Sequence, residues 1–161
     1  MNNIQSILSI GSILLLSLAS LNFNSSVLQS STVDTENSVV LTAFSLADDM
    51  LEIIKQKAFD AATVDFPTTN PLDLTPANAL GHNQYETFET FNDVDDFNGY
   101  TRYITAPHAE DYFVSCKVEY VDPDNPDKAV NYQTFYKRAT ITVTSPYLHT
   151  PVQVSYIFTL K

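Results

Sequence analysis

The sequence predicts an α+β fold: a long N-terminal helix packed on a four-stranded antiparallel sheet. Three observations lead there. Residues 4–23 are apolar and carry no charge, residues 40–58 place apolar side chains at helical intervals, and after Tyr100 the apolar period becomes two.

The first run reads IQSILSIGSILLLSLASLNF. The first charged side chain in the chain is Asp34, and neither Lys nor Arg occurs before Lys55. A helix of about 20 residues rises about 30 Å, enough to cross a hydrocarbon core. Three readings compete. A cleaved secretory signal opens with basic residues, which are missing before this apolar core. A simple anchor carries Lys or Arg on its cytoplasmic flank, also missing. The third reading is a helix that leaves the bilayer and packs against its own copies. Ile7, Ile10, Ile13, Leu14, Leu18 and Leu21 supply its apolar surface, and Gly11, with Ser12, Ser17, Ala19 and Ser20, permits close helix approach. The sequence favours this third reading.

Further along, Val40, Phe44, Ala47, Leu51, Ile54 and Ala58 recur at intervals of three and four, a stripe on one helix face. Asp48, Asp49, Glu52, Lys55 and Gln56 surround it. The stripe, with Phe44, Leu51 and Ile54 as its large members, is predicted to pack on the sheet face carrying Val118, Ile141 and Val154. No Pro precedes Pro67, so one helix running from Ile4 to about Phe59 is predicted. Its weak point is residues 22–38, rich in Asn, Ser and Thr, where a local break is expected. The expected division is residues 1–39 as an apolar membrane or filament-core helix and residues 40–161 as a globular head.

Beyond Asp60, Phe66-Pro67, Asn70-Pro71 and Thr75-Pro76 mark an irregular crossing with short helical turns at most. Residues 100–105 form a weak first strand. Alternation is clear at Val114, Cys116, Val118 and Tyr120, at Ala139, Ile141 and Val143, and at Val152, Val154, Tyr156 and Phe158. VDPDNPDKAVN joins the second and third strands as a surface loop.

Chemistry is sparse. The best candidate site is the box Asn92-Asp93-Val94-Asp95-Asp96-Phe97-Asn98-Gly99. Asp93, Asp95 and Asp96 are the candidate ligands for Ca²⁺, which prefers several oxygens, but no Glu closes the loop at calcium-loop spacing. The competing and favoured expectation is a solvated structural turn. Asp122, Asp124, Asn125 and Asp127 form a second acidic loop, read as solvated. The pair Lys137-Arg138 lies in the third strand, with Lys137 on the apolar side. It is read as an exposed pair at a sheet end, the alternative being that one member pins the acidic box to the sheet. His82, His108 and His149 lack zinc-site spacing. The lone cysteine, Cys116, excludes an intrachain disulfide and is expected to be a small buried hydrophobe. No nucleophile–base pattern or phosphate-binding Gly loop is present, so no enzyme is expected. With 19 acidic against 8 basic residues, a net charge of −11, nucleic acid is an unsuitable partner.

The segment LADDMLEIIKQKAFDAAT resembles the helix exit of minor type IV pilins. FNDVDDFNGY resembles the acidic box of minor pilins of the mannose-sensitive haemagglutinin pilus type, and YKRATITVTS resembles the strand that follows it. The order agrees over residues 40–145. The N-terminus departs from that family's pattern, with Ser12 after Gly11 and Leu16 where a Glu is usual. The resemblance implies a pilin-like subunit held in the bacterial inner membrane before assembly. Its partners would then be copies of itself or related pilin subunits in a helical filament, with an acidic head exposed at the cell surface. The alternative expectation is a tethered or secreted binding module whose acidic loop takes Ca²⁺.

Overall fold

The computed structural model describes residues 3–106 and 109–160, with the side chains of residues 26, 28–35, 109 and 110 outside the description. His108 therefore lies outside the described residues. The chain divides into two compact units, Met1–Ser38 and Val39–Lys161. One helix, α1 (Asn3–Lys55), begins in the first unit and ends in the second. It is unbroken through residues 22–38, where the Asn, Ser and Thr content predicts a break. No Pro or Gly in that stretch interrupts the backbone hydrogen-bond ladder.

In the second unit, β1 (Thr101–Ala106), β2 (Ala109–Tyr120), β3 (Tyr136–Thr144) and β4 (Val152–Thr159) form a sheet in the order β1-β2-β3-β4. Every neighbouring pair is antiparallel, so the sheet is a meander. Cys116 stands opposite Ile141, which stands opposite Val154, placing these side chains in one row on one face. That face is covered by residues 39–55 of α1. The resulting core joins Val39, Ala43, Ala47, Met50, Leu51 and Ile54 to Tyr112, Val114, Cys116, Val118, Ala139, Ile141 and Val143. Val154 is half-buried against this core on the edge strand.

The predicted stripe is right from Ala47 to Ile54 and wrong on either side. Leu51, Ile54, Val118 and Ile141 are in the core, but Phe44 is 53% exposed and Val40 42% exposed. Their places are taken by Ala43 and Val39. With 3.6 residues per turn, the fourth residue before Ala47 lies closer to its face than the third does, and the face centre falls on the side of Ala43. Ala43 and Ala47 also let the helix backbone approach the sheet where Phe44 would hold it off. The Tyr112 hydroxyl donates to the Val39 carbonyl at 3.4 Å, tying β2 to the start of this contact.

α1 stops earlier than the predicted Phe59. Its last turn tightens, with the N–H of Gln56 and of Lys57 donating to the carbonyls of Ile53 and Ile54. Ala58, assigned to the helical stripe by spacing, instead forms a short parallel bridge to Asp93. Its N–H donates to Asn92 O at 3.1 Å, and its carbonyl accepts from Val94 N at 2.9 Å. The crossing holds only 3-10 turns at Ala61–Thr63 and Pro71–Asp73, as expected, and a third lies in the acidic box at Asp95–Phe97. Gly99 leaves that box at φ +79°, a left-handed conformation that favours glycine, and its N–H donates to Cys116 O as the chain enters β1.

Phe44 and Leu51 lie on the same helix only seven residues apart and have opposite environments. Leu51→Ala is expected to lower head stability by about 2–5 kcal/mol, whereas Phe44→Ala should change it by about 0.5 kcal/mol or less. Urea unfolding of the two variants, followed by circular dichroism, measures the contrast.

Candidate functional site

The densest polar chemistry of the head lies at the end of the sheet, where β2 and β3 leave the core. The alternation of β3 points Lys137 inward, in line with Ala139, Ile141 and Val143. Its side chain has no exposed surface. The exposed sheet-end reading of the Lys137-Arg138 pair is therefore wrong for Lys137. An ammonium group taken from water needs opposite charge and a full set of hydrogen bonds to remain ionised. Lys137 Nζ finds three acceptors: Asp60 Oδ2 at 2.6 Å, the Phe59 carbonyl at 3.0 Å, and Asp95 Oδ1. The rings of Phe59 and Tyr120 lie 4.6 and 5.0 Å from it and add cation–π attraction.

Asp60 is the hub. Its Oδ1 accepts from the N–H of Ala62 at 3.0 Å, the N–H of Thr75 at 3.1 Å and the Thr75 hydroxyl at 3.0 Å. The Tyr120 hydroxyl lies 3.1 Å from Asp60 Oδ2 and 2.8 Å from the Thr75 carbonyl, two acceptors for its single proton. Burial alone would raise the Asp60 carboxyl. The hydrogen bond and charge of Lys137, with the backbone donors of Ala62 and Thr75, hold it below its ordinary value instead. Burial, and after it the Asp60 and Asp95 charges, push the Tyr120 hydroxyl far upward.

The acidic box is not a solvated turn. Asp93, Asp95 and Asp96 are 2%, 2% and 4% exposed. Asp93 Oδ1 accepts from the N–H groups of Asp95 and Asp96, at 2.7 and 3.3 Å. Asp96 Oδ2 accepts from those of Asn92 and Asp93, at 2.9 and 3.3 Å. Asp95 turns to Lys137, and its Oδ2 is buried with no hydrogen-bond partner among the described residues. Thus the alternative reading of the Lys-Arg pair describes the structure: one of the two pins the box to the sheet, and it is Lys137. Arg138 instead pairs with Glu119 at 2.6 Å on the other face, and Arg102 lies over the Phe88 ring at 5.7 Å. Asn98 closes the box by accepting from Val118 N and donating to Leu80 O, each at 3.0 Å. Around it Phe88, Phe91, Phe97 and Tyr100 pack ring on ring with centroids 5.1–6.4 Å apart.

The candidate calcium ligands Asp93, Asp95 and Asp96 are thus adjacent, but two of them face backbone N–H groups and the third an ammonium. Among the described residues no group of three His, Cys, Asp or Glu side chains is arranged to hold a metal ion. A cleft of about 290 Å³ opens beside the box and is lined in part by Asp65, Thr75, Glu86, Asp93 and Asp95. The second acidic loop is solvated as expected, with Asp124 N donating to Asp122 Oδ1 and Lys128 3.8 Å from Asp122. His82 Nδ1 lies 3.2 Å from Asp96 O, and its ring packs on Phe91. Cys116 is buried, and burial pushes its thiol up to about 12, which leaves it a packing residue at neutral pH.

Sequence reasoning missed Asp60, Thr75 and the Phe88–Tyr100 ring cluster. A signal for Asp60 was present: a Lys at an inward position of an apolar strand demands a buried anion. Its distance of 77 residues along the chain hid which one.

The second candidate element is the start of α1. Residues Asn3–Ser25 form a helical stretch of 23 residues that is long and apolar enough to cross a membrane, and none of it is buried. Ile7, Ile10, Ile13, Leu14, Leu18 and Leu21 are all exposed, while Gly11 is half-covered. Ser9, Ser12 and Ser17 turn their hydroxyls back to the carbonyls of Gln5, Leu8 and Ile13 at 2.7–2.8 Å, which satisfies them without water. Comparison with protein-family models, curated proteins and solved structures finds no match for this chain.

Removing Lys137 leaves buried carboxylates without their cation. Lys137→Met is expected to lower head stability by about 3–5 kcal/mol, and Arg138→Ala, which breaks a half-exposed pair, by about 1 kcal/mol or less; denaturant melts compare them.

Burial, and then the Asp96 charge, raise Asp93 from 3.8 to about 6. Burial, opposed by Lys137, raises Asp95 from 3.8 to about 7. For both groups the folded state favours the proton. Their contribution to stability is therefore complete below about 3.8 and is lost as pH rises through about 6 and about 7. Asp60, shifted the other way, contributes above 3.8 and loses its contribution as pH falls below that value. The melting temperature is expected to fall between pH 5 and pH 8. Asp93→Asn, which keeps the Oδ1 acceptor but cannot ionise, should flatten that slope.

Proposed function

We propose that the protein is a structural subunit of a pilus-like extracellular filament. It is held in the membrane by the first part of α1, then assembles through that helix with its acidic head outward. The observation that carries this reading is the 23-residue apolar stretch, uncharged and exposed on every side, joined to a head with a core of its own. A helix apolar all round requires lipid or other helices as its surroundings. The small residues Gly11, Ser12, Ser17, Ala19 and Ser20 suit helix-on-helix contact. The buried lysine–carboxylate cluster supports the same role, because it braces the head at the point where α1 ends. The likeness of the helix exit, the acidic box and the Lys-Arg strand to minor type IV pilins adds a family-level argument. In this reading the partners are further copies of the chain or related subunits, and the head performs no reaction on a substrate.

Deletion of residues 4–25 is the test. The full chain should partition with membranes and sediment as filaments visible by electron microscopy, while the deleted chain should stay soluble and monomeric in analytical ultracentrifugation. Filaments formed equally well without residues 4–25 would sink the proposal. A mature extracellular protein whose N-terminal sequencing starts beyond Ser25 would replace it with a secreted binding module.

A further inference from the structure

The cluster around Lys137 holds the parts of a condensation reaction as well as those of an ion pair. Lys137 Nζ is in direct contact with Asp95 Oδ1, and both side chains are closed off from water. Among the described residues the other oxygen of Asp95 has no hydrogen-bond partner, so no donor there favours the carboxylate over the neutral amide. A second carboxylate, Asp60, touches the same nitrogen at 2.6 Å. Aromatic rings of Phe59 and Tyr120 close the site.

We propose that Lys137 and Asp95 condense to an intramolecular isopeptide bond, with Asp60 as the group that relays the proton. Lys137 Nζ passes one proton to Asp60 and becomes a neutral amine. The nitrogen lone pair attacks Cγ of Asp95, forming the C–N bond. The C–O bond to one carboxylate oxygen breaks. That oxygen leaves as water, carrying the proton stored on Asp60 and a second proton from the nitrogen. An ammonium and a carboxylate become an amide and one water, Asp60 ends as it began, and nothing is oxidised or reduced. Fixed contact replaces a bimolecular encounter, and the reaction removes two buried charges whose desolvation opposes folding. The cleft lined by Asp95 and Thr75 gives the water a way out. Asp60 keeps the donors Ala62 N–H, Thr75 N–H and the Thr75 and Tyr120 hydroxyls after the ammonium is gone.

The bond would tie β3 to the acidic box, two elements 42 residues apart in the chain, by a link that unfolding does not break. In the linked chain Asp95 no longer titrates, and the pH response of Asp93 remains.

The experiment is mass spectrometry of the full-length chain purified in detergent and digested with trypsin. The expected result is a branched peptide joining the segments that carry Asp95 and Lys137, lighter than their sum by one water. Lys137→Arg, which keeps the positive charge but lacks the amine, should abolish it. Asp60→Asn should strongly reduce the linked fraction in a chain whose circular dichroism shows it folded. Recovery of the two segments from the unaltered chain only as separate peptides of full mass overturns the bond. An Asp60→Asn chain linked as completely as the parent overturns the role of Asp60.

Discussion

The head is organised around a cation that water cannot reach. Lys137 points into the apolar side of the sheet because its strand alternates, and its side chain has no exposed surface there. Its charge therefore has to be met from within the protein, and the groups that meet it come from distant places in the chain. Asp60 arrives from just past the end of α1, Asp95 from the acidic box and Phe59 O from the helix exit. Thr75 and Tyr120 in turn hold Asp60. Each of these contacts fixes a segment that has little regular structure of its own. The irregular crossing needs such ties, since its 3-10 turns are short and contain no buried residue at Ala61–Thr63 or Pro71–Asp73.

The same arrangement explains why three aspartates within four residues are tolerated in the interior. Asp93 and Asp96 each accept from two backbone N–H groups of their own loop, and Asp95 is placed against the ammonium. The box is thus folded by its own carboxylates, and the ring cluster of Phe88, Phe91, Phe97 and Tyr100 covers it with apolar surface. Burial of so much negative charge leaves two carboxyls raised in pKa, which links the stability of the head to protonation.

α1 joins two chemical regimes in one unbroken helix. Its first part is apolar around the whole circumference, with serine hydroxyls turned to the backbone. Its last part has one apolar face on the sheet and a polar face bearing Asp48, Asp49, Glu52 and Lys55. Under the proposed function, the change from one pattern to the other would mark where the surroundings of the helix change from lipid or neighbouring helices to the head.

Local periodicity was enough to read the four strands, the inward faces of β2 and β3, the helix and the apolar run from the sequence, but it put Tyr156 of β4 inward where it is exposed. A period of two or 3.6 is a property of neighbouring residues and survives without tertiary context. The helix face before Ala47 was misread because two stripes, through Phe44 and through Ala43, both satisfy intervals of three and four. Only the close approach of backbone to sheet decided for Ala43. The solvated turn expected at residues 92–99 became a buried box for a related reason. Whether an Asp is inside or outside depends on its partner, and the partner of Asp95 lies 42 residues away on β3. The sequence by itself determined the elements, the charge-free helix and the side of its strand on which Lys137 lies, but not that Lys137 is buried there. The tertiary structure alone decided which anions surround that lysine, since charge pairing acts through space and leaves no periodic trace along the chain.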